Sequence, residues 1–134
     1  MNVDLKRIVD FLDDAQTYFL STVEGDQPRV RPFGTALLYE DRLYIQTGKI
    51  KSVSHQLAIN PKAEICAFKD GKTLRICGEL INDDTREVKV LMLEKMPILR
   101  PMYNEDDGNM QMLYFRNATA TFTSFGGKPE IIKF

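Results

Sequence analysis

Runs of β-branched and aromatic residues, separated by short turn signals, are the feature that most constrains this fold. Consecutive strands joined by such short turns favour antiparallel pairing. They are more easily built into a closed or nearly closed barrel than into a parallel sheet. We predict about six to seven strands on this basis. They lie at residues 17–24, 30–39, 42–47, 63–69, 73–82, 112–125 and 128–134.

Three segments with helical spacing of apolar residues flank the predicted strands. Residues 3–15 form an amphipathic helix for which Asn2 is a suitable N-cap. A short helix over residues 53–60 ends at Pro61, and a third over 84–96 ends where Pro97 follows. The fold class is therefore mainly β, with helices that cap or flank a barrel. A chain of 134 residues is expected to form one domain, residues 1–134.

The second predicted strand contains Pro32 and Gly34. Proline cannot donate to a strand ladder, so it suits an edge or a bulge. Glycine within a strand suggests a bend or the close approach of another group. A curved sheet with a ligand against its backbone and a plain barrel corner both fit this pattern.

Composition excludes several classes of function. The net charge of −1 gives no global field that attracts nucleic acid or an anionic membrane. No apolar run approaches the ~20 residues of a membrane span, and the first residues lack the pattern of a signal peptide. We expect a cytoplasmic protein that binds neither nucleic acid nor membrane.

The sequence also gives little support for a metal site or for a catalytic nucleophile. Cys66 and Cys77 follow no metal-ligand spacing, and His55 is the only histidine, so we expect no metal site. If Gly71 and Lys72 form the hairpin loop, the two cysteines face each other as packed thiols. The sequence has no nucleophile elbow and no glycine-rich nucleotide motif.

A basic cluster is the main functional signal. Arg29, Arg31, Lys49 and Lys51 fall at strand edges or at a helix start, where Ser52 adds a hydroxyl. Backbone N–H groups at a helix start bind phosphate readily, and cations beside them strengthen the site. From the residues alone, the cluster is either a phosphate site or a solvated hairpin rim.

The chain resembles the pyridoxamine 5′-phosphate oxidase-like family of FMN-binding split β-barrels. The resemblance covers nearly its whole length, and the order and spacing of several pieces carry it rather than any single motif. The pieces are FLSTVEGDQPRVRPFG, LYIQTGKIKSVSHQLAINPKAEICAF, LRICGEL and LYFRNATATFTSFGGKPEIIKF.

This resemblance implies an antiparallel split β-barrel that binds FMN. The phosphate would meet Arg29 or Arg31 together with Lys51 and Ser52, with Lys49 nearby. The ring edge would lie along Val30, Arg31 and Pro32 and beside Gln46 and Thr47. Family members are usually homodimers with the cofactor at the interface. A partner's residues from the 97–116 region, such as Tyr103 or Arg116, would then complete the pocket.

The resemblance further implies an FMN-dependent oxidoreductase acting on a small molecule. The last residues lack the arginine and histidine that true pyridoxamine phosphate oxidases carry, so vitamin B6 is not the expected substrate. A non-enzymatic flavin carrier or sensor stays open, as does a split-barrel module for haem or a deazaflavin, with His55 as the candidate haem ligand. We assign no catalytic acid or base, since the flavin itself carries the electrons.

Overall fold

The computed structural model describes residues 2–134 and shows a curled, antiparallel sheet with three α-helices. The helices are α1 (Val3–Ala15), α2 (Ser52–Ile59) and α3 (Arg86–Lys95), and a 3-10 turn covers Pro97–Leu99. The strands are β1 (Tyr18–Glu24), β2 (Gln27–Phe33), β3 (Leu37–Tyr39), β4 (Arg42–Gly48), β5 (Lys62–Lys69), β6 (Lys72–Asp83), β7 (Met110–Ser124) and β8 (Glu130–Lys133).

The strand order is β2-β1-β5-β6-β7-β4-β3, with β8 also paired to β7. Every pairing is antiparallel. The 15-residue β7 pairs with β4 near its start and with β8 near its end, while β6 follows its other edge. The sheet therefore curls without closing, which confirms the predicted antiparallel split β-barrel.

The predicted long strand over 30–39 is wrong, because it consists of β2 and β3, and the sheet therefore has eight strands. Donors from other strands form hydrogen bonds with Thr35 in the intervening segment. The Tyr18 hydroxyl donates to the Thr35 carbonyl at 2.8 Å, and the Gln46 N–H donates to Thr35 Oγ1 at 2.9 Å. A side chain at Gly34 would place Cβ 3.2 Å from the Gln16 carbonyl oxygen. Pro32 lies on β2, an edge strand, as the absence of its N–H favours.

The prediction that Cys66 and Cys77 face each other as packed thiols is also wrong. Cys66 pairs with Arg75, Cys77 pairs with Glu64, and both thiols are exposed. The loop consists of Asp70 and Gly71, with positive φ of 51° and 75°. A two-residue hairpin turn of this kind requires positive φ at both positions, and it shifts the ladder from the assumed register.

The main core fills the barrel and includes one face of α1, while α3 covers a second, smaller cluster. Asn2 caps α1 as predicted, since its side chain accepts from the N–H groups of Asp4 and Leu5. Leu57 and Val53 of α2 belong to the main core, so this helix is fixed against the barrel. No helix within the described residues is both long and apolar enough to cross a membrane.

Candidate functional site

The strand β2 forms a free edge beside the start of α2. It is exposed or half-buried along its whole length, and it pairs only with β1. In that pairing Arg29 lies opposite Thr22, and Arg31 lies opposite Leu20. Because Leu20 and Thr22 are buried, both arginines are on the face of β2 that continues the barrel interior.

Arg31 joins β2 to β1 and to α2 through neutral acceptors. Its Nη1 donates to Thr22 Oγ1 at 2.8 Å and to the Leu20 carbonyl at 3.2 Å. Its Nη2 donates to Gln56 Oε1 at 2.7 Å, and Thr22 Oγ1 donates to the same oxygen. The Nε donor of Arg31 takes no part in these bonds. The guanidinium group keeps N–H donors that make none of these bonds, so Arg31 can also bind an anion.

The charge of Arg31 is not neutralised by its surroundings. Burial lowers the pKa of the guanidinium, and the charge of Arg29 lowers this pKa further. No carboxylate in the described part of the chain lies within 4.0 Å of its nitrogens. A partly buried cation held only by neutral groups favours an anionic ligand nearby.

The other three predicted cations differ in their partners. Arg29 pairs with Glu24 at 2.8 Å, and Lys49 pairs with Asp84 at 3.1 Å. Lys51 is exposed and makes no ion pair within residues 2–134. Arg31 and Lys51 are therefore the two members of the basic cluster whose charges are available to a ligand.

Lys51 is the N-cap of α2, and its side chain makes no capping bond. The first N–H groups of the helix, at Ser52 and Val53, are therefore left without a side-chain acceptor. A cavity of about 150 Å³ opens beside this turn, between α2 and the end of the β1–β2 hairpin. Its lining residues are Val23, Glu24, Gly25, Ser52, His55, Gln56 and Ile59. Gln56 thus lines this cavity and also holds Arg31.

The residues expected along the flavin ring fall into two groups. Val30 and Pro32 are exposed on β2. Gln46 and Thr47 are buried at the end of β4, where Gln46 Nε2 donates to the Thr47 carbonyl at 2.8 Å. Within one chain, none of the hydrogen bonds described above joins Val30 or Pro32 to Gln46 or Thr47. Their role beside a ring stays a prediction.

Two polar residues of this site, Thr22 and Gln56, were missed in the sequence. The signal for Thr22 was the alternation of β1, which places a hydroxyl at an inward position after Tyr18 and Leu20. For Gln56 the only signal in the sequence was its position one turn after Ser52 on the short helix. Neither residue type is diagnostic alone, because only the fold brings both to Arg31.

The described residues contain no cluster of three or more His, Cys, Asp or Glu side chains suited to a metal ion. His55 is exposed on α2, and it lines the small cavity rather than a group of ligands.

Comparisons with known proteins extend these observations. The sequence matches no protein-family model, and no match is found among curated proteins. Among solved structures, a NimC/NimA family protein from Clostridium acetobutylicum is 44% identical, with a TM-score of 0.92 over 96% of this chain and 91% of that one. This identity over nearly the full length establishes common membership in a family.

More distant structures share the fold. A pyridoxamine 5′-phosphate oxidase-related, FMN-binding protein from Nostoc punctiforme is 14% identical, with a TM-score of 0.71 over 98% of this chain and 96% of that one. A haem-binding protein from Mycobacterium smegmatis is 11% identical, with the same TM-score of 0.71 over 91% of this chain and 57% of that one. The resemblance predicted from the sequence is confirmed: the chain belongs to the NimC/NimA family, and its fold is that of the pyridoxamine 5′-phosphate oxidase-like split β-barrels.

Proposed function

We propose that this protein binds FMN at the edge formed by β2 and the start of α2, and that it acts as an oxidoreductase on a small molecule other than vitamin B6. The observation that carries the proposal is the un-neutralised charge of Arg31, which bonds to the same helix, α2, whose N-cap is the second available cation, Lys51. The FMN-binding description of a protein with the same fold supports the choice of ligand.

The phosphate end of the site consists of donors that this chain already orients. Lys51 and the first N–H groups of α2 supply positive charge at the helix start. Ser52 adds a hydroxyl, and Arg31 keeps its Nε–H and one Nη2–H after bonding Leu20, Thr22 and Gln56. Arginine and lysine bind phosphate through charge-assisted hydrogen bonds, which are stronger than neutral ones. Arg29 and Lys49 would first have to leave their carboxylate partners.

The ring end uses the exposed backbone of β2. An edge strand presents N–H and C=O groups without a second neighbour, and these groups can pair with the polar edge of a ring. Successive N–H groups of a strand point to opposite edges, so only one of Val30 and Arg31 offers its N–H there, and Pro32 has none. Bound flavin would supply the electron transfer, and the protein would bind and orient it. No side chain is assigned as a catalytic acid or base.

We also propose that the protein is a homodimer in which the outer face of β2, β1 and β5 packs against a second copy. Large apolar side chains are exposed on this face: Phe19 (51%), Val30 (68%) and Phe68 (65%). Phe19 lies opposite Pro32 on one side and Cys66 on the other, so the exposed apolar surface is continuous across three strands. Apolar patches of this kind mark interaction sites, and a partner would also cover the flavin edge of β2.

The first test is the absorbance spectrum of the purified protein, with and without added FMN. Bound flavin makes the protein yellow, and denaturation releases the flavin. Titrations with FMN and riboflavin then separate the phosphate contribution from the ring contribution. We expect FMN to bind much more tightly than riboflavin. A colourless protein that also fails to bind added FMN would refute the proposal.

Turnover is a separate question from binding. With FMN bound, reduction by nicotinamide cofactors and reoxidation by a panel of small acceptors should show steady-state activity. FMN binding without turnover across that panel would identify a flavin carrier or sensor instead.

A haem-binding module is a second candidate, because His55 is exposed beside a cavity and a haem-binding protein shares the fold. Haem titration distinguishes this reading. A Soret band that shifts in His55→Ala supports haem ligation, whereas identical spectra for both proteins remove it.

A further inference from the structure

A second groove lies between α2 and the strands β6 and β7. Its volume is about 250 Å³, slightly below the roughly 300–1,000 Å³ of typical small-molecule pockets. The walls combine three buried leucines with three polar side chains: Leu57, Leu80, Leu113, Ser54, Asn82 and Gln111.

Gln111 provides an unpaired acceptor in this groove. Its residue surface is only 8% exposed, and its Oε1 atom is buried with no hydrogen-bond partner among residues 2–134. The other end of the same amide is occupied, since Nε2 donates to Asn82 Oδ1 at 2.9 Å.

The Gln111 amide is oriented by its bond to Asn82. Because Asn82 Oδ1 accepts from Gln111 Nε2, the oxygen of the Gln111 amide is left as the free group.

We propose that this groove binds a neutral molecule of about one ring that carries an N–H or O–H donor. A buried acceptor without a partner is destabilising, so the site favours a ligand that donates to Gln111 Oε1. The three leucine side chains favour an apolar body over a group of waters. The groove adjoins the proposed flavin site, because Gln111 pairs with Thr47 across β4 and β7. The inference does not depend on flavin binding.

The test compares phenol with toluene, which has nearly the same shape and no donor. Methyl NMR spectra of the leucines report binding, with Leu57, Leu80 and Leu113 expected to shift. We expect phenol to bind at least about tenfold more tightly than toluene, because only phenol satisfies the buried acceptor. Similar affinities for the two probes, no shift of these methyl groups at millimolar phenol, or a crystal soaked in phenol that holds water alone at Gln111 would overturn the proposal.

Gln111→Met tests the acceptor itself, since it keeps the volume and removes the carboxamide. The preference for phenol over toluene should disappear in this variant. Gln27→Met is the matched control, because Gln27 is exposed in the β1–β2 hairpin, and the preference should persist there. A preference that survives in Gln111→Met would place the probes elsewhere. If that variant does not fold, the comparison of the two probes in the unmodified protein still decides the question.

Discussion

Gly78 is the position at which an added methyl group should cost most stability. It lies at the irregularity of β6 between Cys77 and Glu79, opposite β7. A Cβ atom at Gly78 would lie 2.9 Å from both Cα and Cβ of Ala118 and 3.1 Å from the Arg116 carbonyl oxygen. Two of these atoms are backbone of the central strand β7, which pairs with β6 along most of its length. The two strands must therefore separate locally to admit alanine.

The expected loss for Gly78→Ala is about 1–3 kcal/mol of unfolding free energy, the usual range for overpacking a site that resists relaxation. For 134 residues at about 2.1 cal/mol/K each, the unfolding entropy near the midpoint is about 280 cal/mol/K. Each kcal/mol then lowers Tm by about 3.5 °C, so the expected decrease is about 4–11 °C. Urea unfolding and thermal melting at one fixed protein concentration measure both quantities.

Gly127→Ala is the matched control. A Cβ atom there would come even closer to a neighbour, at 2.7 Å, but that neighbour is the hydroxyl oxygen of Ser124. This hydroxyl can move by rotation about one bond, so the stability should change by less than about 0.5 kcal/mol. Equal losses in the two variants would refute the reasoning, because they would show that the nature of the contacted atom does not matter.

Four further predictions concern the proposed site, the assembly and the pH response. Lys51→Ala should weaken FMN binding about 5- to 30-fold, which is less than the loss of a buried charged bond, because Lys51 is exposed. The riboflavin affinity of this variant and both affinities of a Lys69→Ala control should stay unchanged. Equal losses of FMN and riboflavin affinity would place Lys51 away from the phosphate. Arg31→Met should reduce FMN affinity more than Lys51→Ala does, since Arg31 can form two parallel bonds to the phosphate. Riboflavin titration and urea unfolding of the same variant show whether a loss of folding explains the effect instead. Phe19→Asp should shift the sedimentation coefficient from dimer to monomer, whereas Val3→Asp, at an exposed apolar residue of α1, should not. A dimer that persists in Phe19→Asp contradicts the proposed face. Burial alone would raise the pKa of Asp83, but hydrogen bonds from Thr85 and Tyr44 lower this pKa below 3.8. The contribution of Asp83 to the free energy of unfolding is therefore complete above that pH and is lost as the pH falls through the folded-state pKa. Asp83→Asn should flatten the acid limb of the curve of stability against pH, and an unchanged limb would assign that pH dependence to other groups.

The sequence determined the class of fold because its signals are local. Strand-forming runs and turn residues specify antiparallel neighbours through short-range sterics, and all the predicted helices form, with small shifts at their ends. The exception is residues 30–39, where Thr35 bonds to Tyr18 and Gln46 from other strands. Nothing in the local sequence pattern of residues 30–39 indicates those distant partners.

The tertiary structure alone distinguished between the cations of the basic cluster. The sequence gives no reason to prefer Arg29 or Arg31 as the phosphate ligand, since both are arginines of one basic cluster, two residues apart. The fold pairs Arg29 with Glu24 and surrounds Arg31 with the neutral groups of Leu20, Thr22 and Gln56. The same applies to Gln111, whose amide nitrogen bonds to Asn82 on another strand and whose oxygen is left free. Local sequence sets which charges and amides are present. Only long-range packing decides which of them are left without a partner, and those are the groups with free energy to gain from a ligand.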